Sequence, residues 1–181
     1  RMISDSDGNL QVIAADPAFF GGDFHLLKYS PAGDLMSNIT ASAPGEPPDG
    51  CAQFAIARSL AISPSNEFIV GGQVMREFTC SEGAWGGLFI MALSPTGEVL
   101  WSVYDRLLEE LGAGEQTSIT ERVQFVVANS TGISGFTGLI PTAVRLDSLG
   151  TLVDVRSLGL DYSFLYGASN KAGEILLPGS R

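Results

Sequence analysis

The sequence predicts an all-β fold built from consecutive four-stranded antiparallel meanders, and three observations carry that reading. First, the segments 24–40, 88–105 and 142–158 share one form, an apolar strand, a glycine turn and a second strand. Their turn glycines, Gly33, Gly97 and Gly150, stand 64 and 53 residues apart. Second, each is preceded by a polar turn and a short strand, at 7–15, 65–74 and 129–138. Third, helical patterning is scarce. A unit of four short strands recurring at this spacing is the sequence signature of a β-propeller blade.

The elements follow in order. The first unit, about 1–40, has Asp7-Gly8-Asn9 as a turn before LQVIAA, then the strand FHLLKY, the turn Ser30-Pro31-Ala32-Gly33 and a closing strand, with its innermost strand mostly missing. The second, 54–105, opens on AIARSLAIS, turns at 63–67, continues through EFIVGGQV and GLFIMAL, and turns again at Ser94-Pro95-Thr96-Gly97. In Ser-Pro-x-Gly, proline presets φ at the first corner and glycine supplies the positive φ that closes a hairpin with a bulge. The third unit, 118–158, repeats the plan, and the fourth, 162–181, has two strands, so about three and a half blades of an incomplete ring are present in one domain. One segment reads as helix: in 105–112 Asp105 is a cap, Arg106 and Glu110 pair at i,i+4, and Gly112 terminates.

Asp7-Gly8-Asn9 and the run from Ser94 through Gly97 to Trp101 resemble the seven-bladed β-propeller repeat family, and the run to Trp101 is also similar to quinoprotein-type repeats. The resemblance implies a ring of such blades. The residues four beyond the other two turn glycines are Ser37 and Asp154 rather than Trp, which argues against a quinone, and no cofactor is expected.

Composition limits the partners. The chain has 181 residues, 45% of them hydrophobic and 17% charged, which supports a packed core. Its formal charge is −10 and its only lysines are Lys28 and Lys171, so nucleic acid and anionic membrane surfaces are not expected partners. The longest apolar run, Leu88 to Leu93, is far short of the roughly 20 residues a membrane helix needs. No secretory signal pattern is visible at the start, and the chain reads as a mature fragment or the ordered part of something longer. Cys51 and Cys80 stand without a CxxC or Cys/His cluster, so the choice is a disulfide or two free thiols, and the even pair leans to a disulfide. Sequons at Asn38-Ile39-Thr40 and Asn129-Ser130-Thr131 lean the same way, toward an extracellular, periplasmic or cell-surface location.

A meander sends its turns alternately to two rims. One rim is expected to hold the tight hairpins; the other holds the long loops 16–23, 41–53, 75–86 and 105–117. Long loops usually carry function. These contain ten acids against Arg76 and Arg106, together with Phe19, Phe20, Phe78 and Trp85. The aromatics on an acidic rim are the candidate binding face for a protein or glycan; the alternative is that they plug the rim while the acids keep the surface soluble. A disulfide between Cys51 and Cys80 would tether two of these loops.

Catalytic chemistry finds little support. His25, the only histidine, opens a strand, and neither GxSxG nor HExxH occurs. Asp5-Ser6-Asp7-Gly8-Asn9 begins like a calcium loop, but Leu10 stands where an EF-hand needs glycine, so a turn is favoured over a looser calcium site. Gly21-Gly22, Gly71-Gly72 and Gly86-Gly87 lead no helix and fit bulges and strand ends rather than phosphate cradles. The expectation is a non-catalytic interaction or scaffold module, with a propeller enzyme, quinoprotein-like or carbohydrate-active, as the alternative. Because three and a half blades cannot close a ring and open ends would expose unpaired strand edges, the rest of a longer propeller or another chain is expected to complete it.

Overall fold

A computed structural model describes residues 1–15, 23–42, 53–76, 86–104, 123–137, 142–158, 168–169 and 175–176. The first sheet comprises β1 (Met2–Ser4), β2 (Leu10–Ala15), β3 (Asp23–Tyr29) and β4 (Leu35–Ser42). The second comprises β5 (Gln53–Ile62), β6 (Phe68–Arg76), β7 (Gly86–Leu93) and β8 (Val99–Tyr104). The third comprises β9 (Val123–Asn129), β10 (Gly132–Thr137), β11 (Thr142–Leu146) and β12 (Leu152–Ser157). Each is an antiparallel meander in sequence order, and β13 (Ala168–Ser169) pairs with β14 (Ile175–Leu176) in a two-stranded sheet. The first unit therefore holds four strands, its first reduced to three residues paired with Leu10–Val12. No helix occurs among the described residues, and the helix expected at 105–112 lies outside them.

Five hairpins share one turn. The amides of Asp5, Ser30, Ser63, Ser94 and Asp147 donate to the carbonyls of Asn9, Asp34, Glu67, Glu98 and Thr151, and the residue three along donates back to each first carbonyl. That returning residue has positive φ every time: Gly8 (78°), Gly33 (93°), Asn66 (66°), Gly97 (94°) and Gly150 (78°). This geometry explains why glycine recurs at those positions and why asparagine, which tolerates the left-handed region better than other side chains, replaces it once. The turn between β9 and β10 differs. Asn129 Oδ1 accepts from the amide and hydroxyl of Thr131 at 2.9 and 2.6 Å, an Asx turn.

The last strand of each four-stranded sheet carries a bulge one step past its turn. Tyr29 pairs with Leu35 but Lys28 with Ser37, leaving Met36 over; in the same way Leu100 and Val153 are left over. These three side chains are exposed. Bulging twists an edge away from further pairing, which protects the open side of each sheet.

Two apolar layers join the three sheets. Ile13, Phe24, Leu26 and Ala41 of the first sheet pack on Leu60, Phe68, Val70, Val74, Phe89, Met91 and Leu93 of the second. The opposite face of the second sheet packs Ile69, Leu88, Ile90, Ala92 and Val103 on Val123, Val126, Ile133, Val144 and Leu146 of the third. Strand β7 thus alternates Phe89, Met91, Leu93 to one neighbour and Leu88, Ile90, Ala92 to the other, and all six are fully buried. A strand covered on both faces reads as a continuous apolar run, which accounts for LFIMAL.

The close approach of the sheets rests on glycine. A Cβ at Gly71 would stand 2.7 Å from Cγ1 of both Val123 and Val126, and one at Gly135 would run into Ile90. Turn glycines dock similarly on the preceding sheet: Gly97 faces Ile39 of β4, and Gly150 faces the Trp101 ring of β8. These contacts bring the tight turns of successive sheets to one common rim. Between the first strands of the second and third sheets, the Val126 amide donates to Ser59 Oγ at 2.7 Å in a buried setting. Ser59 follows Arg58, the extra residue of a bulge in β5 lying opposite Gly71 and Gly72.

Candidate functional site

Because the tight turns share one rim, the strand ends at Ala15, Asp23, Ser42, Gln53, Arg76, Gly86, Tyr104, Val123, Thr137 and Thr142 share the other. From these ends leave the long connections 16–22, 43–52, 77–85 and 105–122, and the four-residue connection 138–141. The candidate binding aromatics Phe19, Phe20, Phe78 and Trp85, and both Cys51 and Cys80, lie in these connections and outside the described residues.

The described roots of the rim are held by polar contacts. At the first sheet Ser42 Oγ donates to Asp23 Oδ1 at 2.8 Å, joining β3 and β4 where they leave the sheet. At the third, the Thr142 amide donates to Thr137 Oγ1 at 3.2 Å, and both threonines are buried. A buried hydroxyl that accepts a backbone amide fixes the spacing of the two strands at the point where a loop departs. The strand ends that bound 16–22 and 43–52 at the first sheet, and 138–141 at the third, are thereby tied to their neighbours.

Opposite, the tight-turn rim uses its polar side chains to hold its own backbone. Ser30, Ser63 and Ser94 hydroxyls accept the amides of Asp34, Glu67 and Glu98 at 3.1 Å each. Asp147 Oδ1 accepts the amides of Leu149 and Thr151 at 2.9 and 2.8 Å. These backbone hydrogen bonds, Thr151 foremost, hold the Asp147 carboxyl below its ordinary range against a smaller opposing effect of burial. Asp5 is the most heavily engaged. Its Oδ1 accepts the amides of Asp7 and Asn9 at 3.0 and 2.9 Å. Its Oδ2 takes Asn9 Nδ2 at 3.0 Å, Gln11 Nε2 at 3.2 Å and the Lys28 ammonium at 3.1 Å. Burial alone would raise this carboxyl, but the bonds from Asn9, Lys28 and Gln11 outweigh it and hold the group well below the usual carboxylate range.

At the segment Asp5–Asn9, where a turn was set against a calcium loop, the structure shows a turn, with an ammonium and N–H donors on both carboxylate oxygens. No group of three or more His, Cys, Asp or Glu that could hold a metal occurs among the described residues. His25 lies on the outward face of the first sheet, its Nδ1 3.1 Å from Asn38 Oδ1 and 3.3 Å from Thr40 Oγ1. Gly71-Gly72 lies opposite the β5 bulge and Gly86-Gly87 starts β7, while Gly21-Gly22 lies outside the described residues. Sequence reasoning missed Ser59, Thr137 and Thr142 as fasteners. The signal for Ser59 is a polar Arg-Ser pair inside the apolar strand AIARSLAI; Thr137 and Thr142 carry none, because a threonine at a strand end is ordinary.

No family model matches the sequence, and no curated protein matches it. Among solved structures the chain is similar to a protein of unknown function from Bacteroides caccae, at 15% identity and a TM-score of 0.46, over 91% of this chain and 51% of that one. The chain thus spans about half the length of that structure.

Proposed function

We propose that the protein is a non-catalytic interaction module, acting outside the cytoplasm, in which consecutive sheets are arranged radially as propeller blades and the rim of long connections binds a protein or glycan. The observation that carries this reading is the division of labour between the rims. The tight-turn rim spends its serine hydroxyls and aspartates on its own backbone, while the long connections, rich in acids and aromatics, leave from the other rim, two of them beside the Ser42–Asp23 bond. A rigid scaffold carrying variable loops at one end is the usual way a fold presents a binding surface. Phe19, Phe20, Phe78 and Trp85 are the proposed anchors, and a Cys51–Cys80 disulfide is the proposed tether between two of the loops.

The test is binding of the purified protein to a glycan array and to a panel of secreted proteins. Phe78→Ala and Trp85→Ala are expected to abolish binding, while Leu149→Ala on the tight-turn rim leaves it intact. A turnover activity that survives purification and is lost with one substitution would instead establish the enzyme alternative. The tether is tested by alkylation without reductant: neither cysteine should gain mass, and two alkylated thiols would remove it.

A further inference from the structure

Among the described residues the first sheet has one covered face and one open face; the half of the open face nearer the tight turns is built like a face that another sheet covers, and Asp23, His25 and Thr40 make the other half polar. Pairing registers place the first two sheets in one-to-one correspondence. Leu10 and Tyr29 pair as Phe68 and Leu93 do, Val12 and Leu27 as Val70 and Met91 do, and Met2 stands against Val12 as Leu60 stands against Val70. In the second sheet this face is the one buried against the first, with Val70, Phe89, Met91 and Leu93 fully buried. In the first sheet the corresponding Val12, His25, Leu27 and Tyr29 are only half-buried, and Met2 is 64% exposed where Leu60 is 4%. Met2, Leu10, Val12, Leu27 and Tyr29 carry no formal charge, in a chain whose net charge is −10.

We infer that the outward face of the first sheet docks a further four-stranded meander sheet, packed on it as the first sheet packs on the second. The chemistry of the occupant follows from the interface it would continue. It presents an apolar sheet face like that of Ile13, Phe24, Leu26 and Ala41, at the roughly 10 Å spacing of stacked sheets. One difference adds specificity. Position 89 is phenylalanine in the second sheet, but its counterpart is His25, so the occupant meets an imidazole already within hydrogen-bond distance of Asn38 and Thr40. The edge of the face stays free. Asn38 corresponds to Ser102, which is exposed although its sheet is packed, so a glycan on the Asn38 sequon and the docked sheet are compatible. This deepens the proposed radial arrangement by naming the face through which it continues, and it is independent of what the long-loop rim binds.

The test places the photo-crosslinking residue p-benzoylphenylalanine at Val12 or Leu27, with Met36 on the bulged outer strand as control, in the full-length protein made in its own cells. Crosslinked peptides are then sequenced by mass spectrometry. The expected result is an adduct from Val12 and Leu27, absent at Met36, to a segment of alternating apolar residues bounded by a glycine turn. Leu27→Asp is expected to abolish the Val12 adduct while the circular dichroism of the sheets is unchanged. An adduct joining two copies of 2–29, an adduct to lipid or to a helical segment, or no adduct from either position would overturn the inference. Each of those outcomes leaves glycan and protein binding by the rim to be scored separately.

Discussion

Replacing Gly71 by alanine probes the feature on which sheet stacking depends most. The added methyl would sit 2.7 Å from Cγ1 of Val123 and equally close to Cγ1 of Val126, where carbon atoms prefer a separation of about 3.5–4.0 Å. Both neighbours are β-branched and stiff, both are buried in the layer between the second and third sheets, and Val126 is also pinned by its amide bond to Ser59. Neither can swing aside cheaply, so the cost belongs at the upper end of the overpacking range, about 3 kcal/mol. For 181 residues, an unfolding entropy of about 2.1 cal/mol/K per residue converts this into a fall in Tm of about 8 °C. Urea unfolding followed by circular dichroism measures the change directly. A double-mutant cycle then identifies the cause. Val126→Ala alone should cost about 2 kcal/mol through lost methyl burial and a small cavity. Combined with Gly71→Ala, it should cost less than the two singles together by about 1 kcal/mol, because truncating the valine makes room for the new methyl. A neutral Gly71→Ala, or strict additivity in the cycle, would refute the close approach as the reason for glycine at this position.

Three further outcomes follow from the turns. Gly33→Ala meets no atom within 4 Å and should pay only for its φ of 93°, about 1 kcal/mol, whereas Gly150→Ala adds a collision with the Trp101 ring and should lower the melting temperature clearly more. Asn66 holds φ 66° in place of glycine, so Asn66→Gly should leave the urea midpoint unchanged or slightly raised and Asn66→Ala should lower it by about 1 kcal/mol. Asp5 has a folded-state pKa below its unfolded value of about 3.9, so the stability it contributes is present above about pH 4 and is lost as pH falls toward the folded value; unfolding followed from pH 5 to 2 should show that slope, and Asp5→Asn should flatten it.

The repeat was legible because its punctuation is chemical. A positive φ admits few residues, so Gly8, Gly33, Gly97 and Gly150 mark their turns in the sequence, and the apolar run Leu88–Leu93 announces a strand covered on both faces. The packing partners of the glycines were not legible. Nothing local distinguishes Gly71, which accommodates two valines from the next sheet, from a glycine that merely weakens a strand. The bulge at Arg58 and the Ser59 bond to Val126 were hidden for the same reason, since they depend on how two sheets sit against each other. The short strand Met2–Ser4 fell below the length at which alternation can be read, yet its three pairs with β2 complete the first sheet. The acidic and aromatic character of the long connections was plain from composition, whereas Ser42, Thr137 and Thr142 acquire their roles only where strand ends meet.

The asymmetry among the sheets has a physical consequence. The second sheet, buried on both faces, has no sheet face left for another partner, and its surface lies in its rims and its bulged outer strand. Among the described residues the first sheet keeps one face open, with Met2, Leu10, Val12, Leu27 and Tyr29 in positions that the second sheet buries. Solvated faces of antiparallel sheets normally carry polar residues along their whole length, and here the half nearer the tight turns is apolar. The polar groups of this sheet are divided by position: Asp23, His25, Asn38 and Thr40 stand on the open face toward the long connections, whereas Gln11 and Lys28 reach Asp5 on the covered side near the tight turns. The sequence of the first sheet therefore distinguishes a rim that satisfies itself from a face that does not. The apolar half of that face is the reason to propose sheet-to-sheet packing there.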